Sequence, residues 1–240
     1  MEKISFTDFK AFFEENIDRR SRTASGVSNT ATSKTKQALL KTGEDLKIQV
    51  KKNTERLIES VWEHRMLNPT IPRHIKFIDT QWNIIINRDL IAEYAYASEY
   101  EELERESEQV EKRTGVKHTI NKLFRVWDVR YATLRAPPVE LDTIMDSFYA
   151  NLAGKINLYK NGLFHQSELL AYADFVIDKA IHPWRDGCGR NATAMVMWLS
   201  LLQPDASLPL FGSREKHHAA MENLSLHTLY FLSCLNHEFQ

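Results

Sequence analysis

Residues 182–190 read His-Pro-Trp-Arg-Asp-Gly-Cys-Gly-Arg, and the chain on both sides of them carries apolar residues at helical spacing. Leu169, Ala173, Val176 and Ala180 lead in, with Leu170, Ile177 and Ile181 beside them. Ala192, Met195, Val196, Leu199 and Leu202 lead out, and Pro204 stops the second stripe. A proline and two glycines between two apolar helices leave room only for a tight turn. The chain must therefore bring His182 to the end of one helix and Arg190 to the start of the next.

That turn carries residue types suited to nucleotide chemistry. The first N–H groups of a helix have no internal partner and bear partial positive charge, so they attract phosphate oxygens. Gly187 and Gly189 allow positive φ and close approach of a ligand to the backbone. Arg190 can hold phosphate oxygens bidentately. Asp186 offers a hard oxygen to Mg²⁺, which completes its shell with waters and phosphates. His182 can accept a proton from an incoming hydroxyl.

The stretch resembles the signature of the Fic (filamentation induced by cAMP) family, His-x-Phe-x-(Asp/Glu)-Gly-Asn-Gly-Arg-x-x-Arg. His182, Asp186, Gly187, Gly189 and Arg190 match it, and Trp184 replaces Phe. Cys188 stands at the family's Asn and Thr193 at its second Arg. The resemblance covers roughly residues 120–205 and implies a protein adenylyltransferase. Such an enzyme moves AMP from ATP, or an equivalent group from another nucleotide donor, to a Ser, Thr or Tyr hydroxyl of a target protein. His182 would be the catalytic base, Asp186 the Mg²⁺ ligand, and Gly187, Cys188, Gly189 and Arg190 the nucleotide-binding turn. In AMP-transferring relatives the second Arg contacts the terminal phosphate of ATP, so Thr193 keeps UMP, phosphocholine and phosphate transfer open. It equally keeps open a degenerate domain that binds a nucleotide or partner without chemistry. Gly189 leans away from the phosphate-transferring variant, which has Lys there.

Residues 123–136, Leu-Phe-Arg-Val-Trp-Asp-Val-Arg-Tyr-Ala-Thr-Leu-Arg-Ala, precede Pro137-Pro138. Val129, Tyr131 and Thr133 alternate with Arg130, Ala132 and Leu134, which predicts a short strand. By resemblance this segment is a β-hairpin flap that presents the target through main-chain pairing. The family's inhibitory helix, (Ser/Thr)-x-x-x-Glu-(Gly/Asn), is not matched: Glu15-Asn16 has Ala11 four before the Glu, and Glu222-Asn223 has His218. A separate inhibitor protein therefore stays open as a partner.

Composition sets outer bounds. The 240 residues are 43% hydrophobic, enough for a sizeable core. A formal net charge of −1 gives no whole-chain footprint for nucleic acid. Two cysteines, Cys188 and Cys234, suggest no disulfide framework. The sequence shows no signal-peptide core and no apolar run of spanning length, which points to a cytoplasmic protein without a membrane partner. Export without a cleaved signal would leave no trace in the sequence.

The expected fold is mainly α-helical: a Fic-like helical core (71–240) with a small β-hairpin flap, and an N-terminal helical extension (1–70). Phe6, Phe9, Phe12 and Phe13 predict an amphipathic helix, and a Ser/Thr-rich loop follows at 21–33. Further helices are expected over 34–67, with Gly43 as a break, and over 93–113, a charged and solvated stretch. Leu141, Ile144, Met145, Phe148 and Leu152 predict another, and 214–236 a last one. Trp62, Trp82 and Trp127 are expected in or beside the core. His217 and His218, being adjacent, point different ways and are expected at the surface. Cys188 admits two readings, a small packing residue or a low-pKa, redox-sensitive thiol at a helix N-terminus.

Overall fold

The computed structural model describes residues 4–20, 43–91, 96–203 and 207–239, and it is all-α, with nine α-helices among them. The loop expected at 21–33 and the start of the 34–67 stretch lie outside the described residues.

The helices are α1 (Phe6–Arg20), α2 (Gly43–Glu63), α3 (Pro72–Asn87), α4 (Ala97–Thr114), α5 (Leu141–Lys160), α6 (Gln166–Phe175), α7 (Cys188–Leu199), α8 (Arg214–Ala220) and α9 (Leu224–Leu235). Helix α7 is the hub. Every residue from Arg190 to Leu199 is buried, as befits a helix apolar on all sides. Helices α1, α2, α3 and α6 pack around it. Phe9 and Phe13 of α1, Leu57 and Val61 of α2, and Ile75, Ile78, Trp82 and Ile86 of α3 share one apolar core with it. Trp82 meets Trp198 edge-on, with centroids 6.0 Å apart. Helix α3 begins with Pro at its first position, where a missing N–H costs nothing. Helix α6 starts with a capping box: Ser167 N donates to the His165 ring, and His165 N donates to Glu168.

Three features differ from expectation. Residues 123–136 form no hairpin; their extended contact is an isolated antiparallel bridge between Phe124 and Trp184. Period-2 burial fails, because Val129 is buried whereas Tyr131, on the face expected to match it, is 57% exposed. The segment's amides are spent on the approach to the motif instead: Arg125 N donates to Pro183 O, Thr133 N to Lys179 O, and Leu134 N to Ala180 O. A lone two-stranded ribbon is marginal in water, so pairing with a rigid neighbour wins. Second, the apolar stretch expected to run straight into His182 ends as a π-helical turn, Val176–Ile181. Third, 214–236 divides into α8 and α9, because the Asn223 side chain accepts the Leu226 N–H and starts a new helix. None of the helices among the described residues is long and apolar enough to cross a membrane.

Candidate active site

The π-turn delivers His182 in the left-handed region, φ 51° and ψ 61°. Such a conformation costs a non-glycine residue on the order of 1 kcal/mol or more and persists only where surroundings enforce it. Arg125 enforces it here. Its guanidinium, buried at 1% exposure, donates to four carbonyls: Nε to His182 at 2.9 Å, Nη1 to Trp127 at 2.5 Å, and Nη2 to Ala136 at 2.6 Å and Ile181 at 3.4 Å. Burial lowers its pKa, yet a guanidinium stays charged, so the bonds are charge-assisted. One side chain thus ties the 123–136 segment to the end of the π-turn.

The tautomer of His182 follows from its partners. Nδ1 lies 2.9 Å from the Asp178 carbonyl, which can only accept, so Nδ1 carries the hydrogen. Nε2 of the neutral ring is then a lone pair, and the Tyr131 hydroxyl donates to it at 2.7 Å. The two rings meet edge to face at 5.0 Å. A lone pair held toward a hydroxyl is what a general base requires.

Four residues on, Asp186 turns the chain. Its carbonyl accepts from Asn83 and Asn87 of α3, each at 3.2 Å. Its carboxylate accepts the Gly187 N–H at 2.7 Å. Gly187 has φ +80°, and a Cβ there would lie 2.5 Å from Ile86 Cγ2, so glycine is required on two counts. Gly187 is also the N-cap of α7 and offers its first turn no side-chain cap. The Arg190 guanidinium, 9% exposed, sits 3.4 Å from Asp186 Oδ2 and 3.5 Å from Ile86 O. Arg190 accordingly has the acidic neighbour that a cation near a helix start needs. The Asp186 side chain keeps 28% exposure. One oxygen of this carboxylate is taken by the Gly187 N–H and the other lies beside the Arg190 guanidinium, so a Mg²⁺ held here would displace that ion pair and take its other oxygens from water and phosphate.

Cys188 is buried and its thiol lies 3.7 Å from Trp184 O. Burial pushes the thiol pKa well up, so the side chain is a protonated packing group and not a thiolate. Only its backbone remains to meet a ligand.

Beneath Gly189, Thr193 Oγ1 donates to Gly189 O at 2.9 Å and accepts from Arg20 at 3.2 Å. Arg20, at the end of α1, also grips Asp174 at 2.5 Å and Asp178 at 2.9 Å. Burial opposes its charge, but the two carboxylates prevail and raise its pKa. The second oxygen of Asp174 takes His217 and His227, both at 2.8 Å. His217 is therefore buried, contrary to its expected place at the surface, while His218 is exposed. Burial would raise the Asp174 pKa, yet Arg20 and the imidazoles hold it well below the usual carboxylate range. Asp174, His217 and His227 could converge on a metal ion. Both oxygens of Asp174 are already engaged, however, and the adjacent guanidinium disfavours a dication. The cluster is a polar joint between α1, α6, α8 and α9.

The motif residues are thus brought to one place, joined by residues that sequence reasoning did not single out: Arg20, Arg125, Tyr131, Asp178, Asn83 and Asn87. Two of these had a legible signal, since Asn83 and Asn87 interrupt an apolar helix at i, i+4. A surface groove lies elsewhere, lined by Tyr159, Phe164, His165, Gln166 and Gln203. Comparison with protein-family models, curated proteins and solved structures finds no match.

Proposed function

We propose that this chain is a Fic-type protein adenylyltransferase that moves AMP from ATP to a hydroxyl side chain of a target protein. The observation that carries the reading is the locked tautomer of His182, whose Nε2 lone pair already accepts a hydroxyl hydrogen. The same turn continues into Asp186 and the uncapped start of α7. His182 takes the proton of the acceptor hydroxyl as its oxygen attacks the α-phosphorus, and the Asp178 carbonyl keeps the ring aligned through Nδ1–H. The amides of Cys188 and Gly189 at the uncapped start of α7, with the Arg190 guanidinium, would stabilise the charge that shifts to the leaving pyrophosphate. Asp186 would hold Mg²⁺, which when bound neutralises phosphate charge. Segment 123–136 would meet the target, with Arg125 fixing its position. UMP, phosphocholine and phosphate remain alternative cargoes, and a separate inhibitor protein an alternative partner.

A second reading, a nucleotide-binding module without turnover, draws on Thr193. Its hydroxyl is occupied by Arg20 and Gly189 O, so it offers a terminal phosphate no positive charge. Intact-protein mass spectrometry with Mg²⁺ and each of ATP, GTP, CTP, UTP and CDP-choline, alone and with lysate, tests both. A mass gain on protein that vanishes in His182→Ala supports the transferase, and its size names the donor. Nucleotide binding with no gain anywhere supports the module.

A further inference from the structure

The hydroxyl that His182 already holds belongs to this chain. Tyr131 sits on the turn between Val129 and Ala132, both buried, and the bonds from Thr133 N and Leu134 N to Lys179 O and Ala180 O fix that turn against the π-helical segment. Tyr131 is 57% exposed, its ring meets that of His182 edge to face, and its oxygen lies 2.7 Å from the one nitrogen of His182 able to accept a proton. That separation is within the reach a general base needs in the reacting complex. We infer that Tyr131 is itself an acceptor of the transferred group, so that the protein modifies its own 123–136 segment; this rests on the transferase reading above.

The step balances with a nucleoside triphosphate as donor. The Tyr131 oxygen forms a bond to the α-phosphorus, and the bond from that phosphorus to the oxygen bridging to the β-phosphate breaks. Pyrophosphate leaves with the bond's electron pair, and the phenolic proton passes to His182 Nε2. The resulting imidazolium is met on its other side by the Asp178 carbonyl at 2.9 Å and by the Asp178 carboxylate at 3.9 Å. Exposure of the tyrosine leaves room for the attached nucleotide in solvent. A hydroxyl in contact with its own base reacts intramolecularly, which sets the kinetics: the rate constant must not depend on protein concentration.

The test uses the full chain with Mg²⁺ and each of ATP, GTP, CTP and UTP, followed by intact mass, peptide fragmentation and pyrophosphate release. Expected is a gain of one nucleoside monophosphate, mapped to Tyr131, at a first-order rate unchanged by dilution. Tyr131→Phe should lose the gain down to the level of His182→Ala. A His182-dependent gain that maps elsewhere, survives in Tyr131→Phe, or appears only on added protein overturns the Tyr131 assignment and leaves the transferase reading standing. No gain on the parent chain while lysate protein gains mass in a His182-dependent way also overturns the Tyr131 assignment alone. No gain on the chain or on added lysate protein, with any donor, overturns both.

Discussion

At the scale of single residues, geometry decides how replaceable the motif positions are. Gly187 combines φ +80° with a Cβ position 2.5 Å from Ile86 Cγ2. Gly187→Ala must therefore pay the left-handed cost and push a buried side chain, together on the order of 2–4 kcal/mol. In an Ile86→Ala background the clash is gone and only the conformational cost remains. A urea-unfolding double-mutant cycle should show Gly187→Ala costing less there, and an unchanged cost would place the strain elsewhere. Gly189 faces no such wall: its nearest neighbour is Arg20 Nε at 3.5 Å, ordinary contact distance. Both glycines looked alike in the sequence, and only the arrival of α3 beside the turn separates them. The same holds for Cys188. Its position at a helix start argued for a lowered thiol pKa, but depth within the core outweighs the dipole.

At the scale of elements, α1 is fastened to the motif's underside by one guanidinium. Arg20→Met would leave the buried Asp174 and the half-buried Asp178 without their cation, a loss of about 3 kcal/mol. The loss should depend on pH in a particular direction. Burial and Arg20 together hold the His217 pKa down, so without Arg20 the cluster can recruit a proton onto an imidazole and neutralise Asp174. The deficit against the parent should therefore shrink between about pH 8 and about pH 6 in chemical denaturation, and a constant deficit would exclude that exchange. The helices were largely legible, because apolar spacing records which face is buried: α1, α5 and α7 lie where their stripes put them. Less legible was anything that depends on a distant segment. Helix α3 carries a clear stripe in Ile75, Ile78, Trp82 and Ile86, yet its service to the site runs through Asn83 and Asn87 to a backbone carbonyl. Alternation at 129–133 read as a strand because local pattern cannot reveal that the amides bond to the π-turn.

At the scale of the whole molecule, two buried acids pull stability in opposite directions with pH. Asp174, held well below the usual carboxylate range, stabilises the fold above the unfolded pKa of about 3.9, and that contribution goes as pH falls through its folded value. Asp79 behaves the other way. It lies fully buried between α3, α5 and α7, bonded by the Tyr149 hydroxyl at 2.7 Å and by the Asn191 amide. Burial, only partly offset by those bonds, pushes its pKa up to about 7. The folded state thus holds a proton that the unfolded chain releases near 3.9, and the stabilisation, complete below that, is lost as pH rises through 7. Asp79→Asn imitates the protonated acid at every pH and cancels this dependence, while other titrations stay common to both proteins. The stability of Asp79→Asn relative to the parent should therefore improve between about pH 5 and about pH 8, by on the order of 2 kcal/mol. Urea unfolding across that range measures it directly, since the slope of each transition reports whether both proteins still unfold in one step. A flat difference would mean that Asp79 is ionised throughout, and that Tyr149 and Asn191 are strong enough partners to keep a carboxylate charged at the centre of the bundle.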